Sequence, residues 1–300
     1  MMPPDEHETR ERIWNAFMGR KSDKLQHPHH QNHGIAISRP APQDGCQQLL
    51  VAAATGVGFS RAIADLQNNE GTFSHSMAKC RDLMGRTAMV LASARGDLQA
   101  MHQCLEVHPY PKDAVNERDK HDVTALEYAS WRGHDAVVDY LLRLGADPNT
   151  HDIFGLQPLH KAVGHGHVQV AMRLLSDGAV DPSARCGDVR APEQYMALTR
   201  HQTALHSACA REQFGEPSAA DATMVRLLLR YGTKPDIQDD HGNTALHAAA
   251  LRGDMNVSRM LLRAGATHDI TNFEGHKPIE LLPSWCNASL VEMLQTGDTS

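Results

Sequence analysis

Short blocks of apolar residues recur in pairs over residues 82–295, and each pair predicts two helices joined by a tight turn. The first block of a pair is rich in alanine, as in TALEYASWRG and TALHAAALRG. The second block carries adjacent leucines, as in VVDYLLRLGAD and VSRMLLRAGAT. A glycine follows most blocks, where a left-handed residue ends a helix at low cost. The pattern therefore predicts a helix–turn–helix unit that is followed by a short extended tip.

Copies of this unit follow one another along the chain, beginning at Asp82, Asp119, Asp152, near Arg200, at Asp239 and, in a weaker copy, at Asn272. A threonine hydroxyl precedes the first helix in most copies, where it can cap the helix, at Thr87, Thr124, Thr203 and Thr244. Three steps between copies are longer than the 33 residues from Thr124 to Gln157, and the two longest predict insertions near 185–198 and 212–219. We expect either tolerated surface loops or, at 185–198, an extension of the binding edge.

These motifs resemble ankyrin repeats, whose T-P-L-H-x-A signature and period match roughly residues 46–295. The resemblance implies an all-α fold, an α-solenoid of stacked ankyrin repeats, each with a helix–turn–helix and a hairpin tip. Residues 1–44 are predicted to form a tail that is mostly disordered apart from one short helix around Trp14 and Phe17. We expect the repeat domain at 45–295 and a second tail at 296–300. Within the domain the prediction gives an N-terminal cap at about 46–80, repeats at about 82–118, 119–151, 152–185, 199–238 and 239–271, and a C-terminal cap at 272–295.

Composition and charge argue against several classes of function. The formal net charge of −7 argues against a nucleic-acid binder, which needs a surplus of Lys and Arg to displace counterions from phosphate. No apolar run approaches the length of a membrane span, so no membrane insertion is expected. The 6 cysteines include no Cys-x-x-Cys pair and match no zinc pattern. This indicates reduced thiols in a cytoplasmic or nuclear protein.

The resemblance implies that another protein contacts the tips and the first helices, which form the concave face of such a stack. The predicted contacts at the tips are Lys120, His121, Ile153, Phe154, Leu156, Arg200 and His241. Trp131 and Leu251 extend this surface at the ends of first helices. We expect the three apolar tip residues of the third copy to be exposed together, as partner-binding sites often are. The alternative is that they pack against the long neighbouring tip around Tyr195.

A basic stripe is predicted at the turns between paired helices. The residue before the turn glycine is basic in successive copies, the fourth being placed by alignment: Arg95, Arg132, His165, Arg211 and Arg252. Stacked repeats would bring these side chains into one line. Together with Trp131 the stripe predicts a partner with an acidic segment. The alternative is that the basic residues only solvate the surface or cap helix ends.

Catalytic residues, cofactors and metal ligands are all predicted to be absent. His160, His206 and His247 share one repeat position, where we expect them to bond neighbouring backbone rather than a metal. Cys209 lies near His206 in sequence, but both fall at packing positions of the ankyrin pattern, so no nucleophile is expected. No phosphate loop, nucleophile elbow or zinc-protease motif occurs in the sequence.

The sequence therefore predicts a protein–protein interaction module that acts as an adaptor, scaffold or inhibitor and is not an enzyme. Two alternatives stay open. In the first, the protein is a targeting subunit whose stack holds a client while the tail at 1–44 recruits a second factor. In the second, it is an enzyme of unrecognised type.

Overall fold

The computed structural model describes residues 45–69, 80–108, 111–176, 178–187, 201–210 and 219–298. The predicted helix around Trp14 and Phe17 lies outside these residues, as do Tyr195, Arg200 and Arg211. Most of the two predicted insertions also lies outside them. The division of the chain into tails, caps and repeats thus stays a prediction at those places.

The described residues are mostly helical, which confirms the all-α prediction. The helices are α1 (Gly45–Thr55), α2 (Phe59–Asn69), α3 (Ala88–Arg95), α4 (Leu98–Val107), α5 (Pro111–Val115), α6 (Ala125–Arg132), α7 (Asp135–Arg143), α8 (Pro158–Gly164), α9 (Val168–Ser176), α10 (Ala204–Ala210), α11 (Ala219–Arg230), α12 (Ala245–Leu251), α13 (Met255–Arg263), a 3-10 helix (Pro278–Leu281) and α14 (Ala288–Thr296). Extended backbone pairs in isolated antiparallel bridges at Arg118–Thr124 and Arg185–Thr203. No helix among these is long and apolar enough to cross a bilayer.

The first helices of the first two repeats begin and end where the sequence predicts. Thr87 Oγ1 accepts from the backbone N–H of Val90 at 3.4 Å, and Thr124 Oγ1 accepts from that of Glu127 at 3.3 Å. Gly96 ends α3 in the left-handed region with φ +78°. Helices of seven or eight residues are marginal on their own. Their stability must therefore come from packing against neighbouring repeats.

The packed helices form two layers. In the first layer, α3, α6, α8, α10 and α12 lie side by side, each in contact with the next. In the second layer, α7, α9, α11 and α13 follow one another in the same order. Each layer contributes one fully buried leucine per repeat, at Leu126, Leu159, Leu205 and Leu246 in the first and Leu141, Leu174, Leu228 and Leu261 in the second. The leucine periodicity of the sequence thus corresponds to the core.

A short additional helix explains why the step from Thr87 to Thr124 exceeds the repeat period. Helix α5 lies between the second helix of one repeat and the tip of the next. Its residues Ala114 and Val115 are buried. The extra residues are therefore absorbed as one helical turn that joins the core.

The prediction that all cysteines are reduced is wrong for one pair. Cys46 at the start of α1 and Cys80 before the first tip form a disulfide, with 5.3 Å between their Cα atoms. The two lie 34 residues apart and belong to no short motif, so only the packing of α1 against α3 brings them together. Cys104, Cys186 and Cys209 are buried thiols.

Candidate partner-binding surface

In five tips that the structure describes, one carboxylate or amide holds the turn. In every case the side-chain oxygen accepts from the backbone N–H groups two and four residues later, at 2.8 to 3.1 Å. The residues that do this are Asp82, Asp119, Asp152, Asp239 and Asn272. Because the bonds are local, the repeated aspartate in the sequence is itself the signal for a tip.

Neighbouring tips are joined to one another by main-chain hydrogen bonds. The N–H of Lys120 donates to Met84 O at 3.0 Å, and that of Ile153 donates to His121 O at 3.1 Å. The same bond joins Phe273 N–H to His241 O at 2.9 Å. These bonds fix the spacing between tip side chains. A partner that contacts several tips therefore meets a preformed row.

The exposure of the predicted tip residues is mixed. Lys120 and His241 are exposed, as a contact role requires, whereas His121, Ile153 and Leu156 are half-buried. Phe154 is 5% exposed, so the prediction that the three apolar residues are exposed together is wrong. Its N–H donates to Asp152 in a turn that Gly155 completes with a positive φ.

Trp131 is also too buried for direct contact with a partner. The side chain is 7% exposed. Its indole N–H donates to Nε2 of His165 at 2.7 Å, and the guanidinium of Arg132 lies 4.3 Å from the ring centroid. His165 is exposed and Arg132 is half-buried. Trp131 therefore supports these two basic residues from below, while they form the surface.

Basic side chains line the turns between paired helices, and we call this row the turn edge: Arg95, Arg132, His134, His165, His167 and Arg252, with Trp285 at the C-terminal cap. Four of them reach back to a carbonyl near the end of the preceding first helix. Arg95 donates to Ala53 O at 2.9 Å and Arg252 to Cys209 O at 3.1 Å. The imidazoles of His134 and His167 do the same with Ala94 O and Trp131 O.

These bonds give the basic stripe a structural role that the sequence left as an alternative. The last carbonyls of a helix have no intrahelical donor and carry the negative end of its dipole. A cationic side chain at that place therefore caps the first helix of the preceding repeat. Arg95 and Arg252 thus connect neighbouring repeats, and Arg132 is the stripe arginine that lies over Trp131 instead.

Histidines connect the repeats at a second level, as the sequence predicts. Nδ1 of His206 accepts from the backbone N–H of Thr203, so Nε2 carries the proton and donates to Asn243 O at 3.0 Å. His247 bonds Thr244 N–H and His276 O in the same way. Burial lowers the pKa of both side chains. They are therefore neutral, and both nitrogens are engaged.

The second repeat has Glu127 at the position that a histidine occupies in the next three repeats. Sequence reasoning missed the contacts that this glutamate makes. Glu127 contacts the ammonium group of Lys161 in the next repeat, and Asp152 lies 2.9 Å from the same group. The three side chains are almost completely buried. Burial raises the pKa of Glu127, whereas in Lys161 burial is outweighed by the two carboxylates, which raise its pKa.

The residue that follows this histidine or glutamate position also differs between repeats. The Tyr128 hydroxyl donates to Asp119 at 2.9 Å, and the Lys161 ammonium group lies 2.9 Å from Asp152. Both side chains therefore fold onto the tip of their own repeat. At the equivalent positions of the next two repeats stand Ser207 and Ala248, which are too short to reach a tip. The first helices are therefore covered by long polar side chains in the second and third repeats only.

Several large apolar side chains are exposed at tips and turns. Leu251 was predicted and is 48% exposed. Leu83 and Phe273 are 91% and 74% exposed at the first and last tips, and Trp285 is 72% exposed on the turn edge. Their signal in the sequence is an apolar residue at a tip or turn position that is polar in other repeats.

The one thiol and imidazole that lie close in sequence do not form a catalytic pair. Cys209 is buried, and both ring nitrogens of His206 are engaged with backbone groups. His206 therefore has no nitrogen left to accept a proton from a thiol. In the part of the chain that the structure describes, no three His, Cys, Asp or Glu side chains are grouped as metal ligands.

Comparison with known proteins agrees with this architecture. A family model of ankyrin repeats in three copies matches residues 49–152, 138–216, 197–274 and 218–297. The chain is 26% identical over 306 residues to the E3 ubiquitin-protein ligase KEG of Arabidopsis thaliana, a match that covers 85% of the chain and 18% of the ligase. It is 22% identical over 268 residues to the NF-kappa-B inhibitor zeta of Bos taurus, covering 85% of the chain and 37% of that protein. The chain thus spans well under half the length of these relatives.

Solved structures show the same fold. The human ASB11 ankyrin repeat domain matches with a TM-score of 0.62 at 23% identity, covering 83% of this chain and 97% of that one. The ankyrin repeat domain of Bcl-3 matches with a TM-score of 0.61 at 21% identity, covering 82% and 97%. With its repeats matched over most of its length, the chain belongs to the ankyrin-repeat family.

Proposed function

We propose that this ankyrin-repeat protein acts as an adaptor, scaffold or inhibitor that binds its partner through the tips and the turn edge. Ankyrin repeats bind other proteins, so a protein-interaction module is the coarse function. The observation that carries the finer proposal is the row of tips, which are spaced by main-chain bonds and present exposed side chains from consecutive repeats. One relative is named as an NF-kappa-B inhibitor and another as SH3 and multiple ankyrin repeat domains protein 2.

The partner in this proposal carries an acidic segment that meets the turn edge. Arginines at 95, 132 and 252 keep their charge at every physiological pH. Asp97 neutralises Arg95 at 3.0 Å, and the Arg95 and Arg252 guanidinium groups also bond backbone carbonyls. Arg132, held over Trp131 and beside His165, is therefore the centre of the proposed acidic contact.

The proposal is tested by affinity capture with variants that the structure allows. Reversing Arg95 or Arg252 would also break repeat contacts, so the test variant is Lys120→Glu with Arg132→Glu. The matched control is Arg143→Glu with Lys234→Glu, which makes the same charge change at two exposed residues outside the tips and the turn edge. We expect proteins captured from native lysate by the wild type and the control to be lost from the test variant. If every captured protein survives the reversal, the acidic contact is wrong.

We also propose that binding occurs without catalysis by this chain. The match to the E3 ubiquitin-protein ligase covers 18% of that enzyme, and the matched residues of this chain are its repeats. The second candidate is a targeting subunit, in which the tail at 1–44 recruits another factor. Deleting residues 1–44 separates the two, because a targeting subunit would lose activity while it keeps client binding.

A cytoplasmic or nuclear location forms part of the proposal. Cys104, Cys186 and Cys209 are buried thiols, which agrees with a reducing compartment, whereas the Cys46–Cys80 disulfide opposes it. Imaging of a tagged chain, combined with alkylation of cell extracts to measure oxidation of Cys46, decides the matter. A secreted, fully oxidised protein would contradict the proposed location.

A further inference from the structure

The turn edge changes character at its C-terminal end. In three earlier repeats the glycine of the turn is covered by a polar side chain of the next repeat, at Arg95, His134 and His167. Each of these also bonds a backbone carbonyl. At Gly253 the covering groups are the thiol of Cys286 and the indole of Trp285, whose Sγ and Cη2 each lie 2.8 Å from where a Cβ would stand. An aromatic ring and a thiol thus replace the capping polar group.

Trp285 and Leu251 form an apolar end to this edge. Leu251 lies at the end of α12, two residues before the glycine that the indole covers. The two side chains are 72% and 48% exposed, respectively. Arg252 follows Leu251 in this turn, and its guanidinium donates to Cys209 O. A large apolar surface therefore adjoins a fixed positive charge.

The charges of the edge define what fits beside this apolar end. On the described part of the edge, Asp97 is bound to Arg95, and Asp254 is buried with its Oδ1 accepting from Val257 N–H. Asp135 in the second repeat remains exposed. The turn that follows Leu251 therefore carries the positive charge of Arg252, while its carboxylate is buried. An acidic segment complements this charge, whereas a basic one is repelled.

We propose that the C-terminal end of the turn edge binds a segment of a partner protein that carries carboxylates and one bulky apolar anchor. The anchor packs on Trp285 and Leu251, and the carboxylates face Arg252. This inference rests on the proposed function and assigns its apolar contact. Exposed tryptophans and arginines dominate the energetics of many interfaces, and burying an indole supplies much of the apolar area that an interface needs.

Selection from a library of short random peptides displayed on phage tests this assignment without a known partner. Wild-type protein is the bait, and the selected peptides are titrated against Trp285→Ser, Leu251→Ser and the control Leu83→Ser. Leu83 is 91% exposed at the first tip, so its change removes a similar apolar surface elsewhere. We expect peptides that combine Asp or Glu with Leu, Ile, Phe or Trp. Their affinity should fall at least about tenfold in the two edge variants and stay unchanged in the control.

Three results would overturn the assignment. The first is no enrichment, and the second is enrichment of peptides that bind the edge variants as tightly as the wild type. The third is a dimer in light scattering that dissociates on Trp285→Ser, since a second copy would then occupy the site. The proposed function fails separately, because it requires capture of partner proteins to depend on Lys120 and Arg132 rather than on Trp285.

Discussion

In the N-terminal region of the stack, residues 80–176, long polar side chains of the first helices fold onto buried aspartates, whereas in residues 201–298 the equivalent side chains are short and histidines make the links. Lys161 between Glu127 and Asp152 represents the first type. His206 and His247, each bonded to a carbonyl of the next repeat, represent the second. The first region thus adds a buried ion cluster to the histidine link that His160 makes with Ala184 O, whereas the buried links named for the second region are neutral hydrogen bonds. The ion cluster must therefore be sensitive to loss of a partner ion, and the histidine links of both regions to protonation.

Removing the cation of the buried cluster has the largest expected effect. Lys161→Met leaves the carboxylates of Glu127 and Asp152 buried without a counterion, which costs about 3–5 kcal/mol. Urea unfolding measures this loss of stability. The control Arg143→Met removes an exposed ion pair with Asp139 and should cost under about 1 kcal/mol. Equal losses in the two variants would contradict a special role for the buried cluster.

Reducing the disulfide should weaken only the helices α1 and α2, which precede the N-terminal region. The Cys46–Cys80 bond closes a loop of 34 residues, and chain entropy gives it a stabilisation of about 3–4 kcal/mol. We expect a reductant to lower hydrogen-exchange protection in α1 and α2 while α12 and α13 stay protected. A reductant should add nothing to Cys46→Ser, because the other described cysteines form no disulfide. Equal loss of protection in α12 would show that the stack unfolds as one unit.

Acidification should weaken the histidine links. Burial lowers the pKa of His160, which donates to Ala184 O, to about 4. The unfolded side chain titrates near pH 6.5, so the unfolded state binds the proton first as the pH falls. The stability that the neutral histidine contributes is thus present above pH 6.5 and lost towards pH 4, by about 3 kcal/mol. His206 and His247 act in the same direction.

Melting temperatures between pH 7 and pH 4 measure this effect. In His247→Gln the fall with acidification should be smaller than in the wild type, and in the exposed control His241→Gln it should be unchanged. Glu127 works the other way, because its raised pKa means that the folded state gains a proton before the unfolded one. Glu127→Gln should therefore steepen the loss of stability on acidification. A wild-type melting temperature that does not fall below pH 6.5 would contradict the histidine links.

The sequence predicts well those features that local chemistry decides. Thr87 and Thr124 cap helices because the acceptor and donor lie three residues apart, and Gly96 ends a helix because its backbone tolerates a positive φ. The fully buried leucines follow from the period of the apolar blocks. All of these could be read within one copy of the unit.

Features that depend on contacts between copies could not be predicted in this way. Glu127 meets Lys161 from the next repeat, and the burial of Trp131 and Phe154 depends on how adjacent repeats are seated. A glutamate at the histidine position was the visible signal for the first. Exposure of Trp285 had only the weaker signal of an aromatic residue in a turn. Partner contacts are harder still to predict, because the same residue type at the same repeat position can either cap a neighbouring repeat or bind a partner.

The smallest expected effect concerns two turn positions that lack glycine, one in each region. Asp122 and His201 have positive φ values of 59° and 43°, where the equivalent residues of other tips are Gly85, Gly155, Gly242 and Gly275. Asp122→Gly should relieve left-handed strain in an exposed turn and stabilise the protein by about 0.5 kcal/mol after the greater chain entropy of glycine is counted.

His201→Gly relieves the same strain but removes the imidazole, whose Nδ1 lies 2.6 and 2.7 Å from the two carboxylate oxygens of Asp240. The contact joins adjacent tips, so this variant should gain nothing or lose stability. Urea unfolding of both variants decides it: equal stabilisation by the two substitutions would mean that the contact between His201 and Asp240 contributes nothing to the stacking of the C-terminal region.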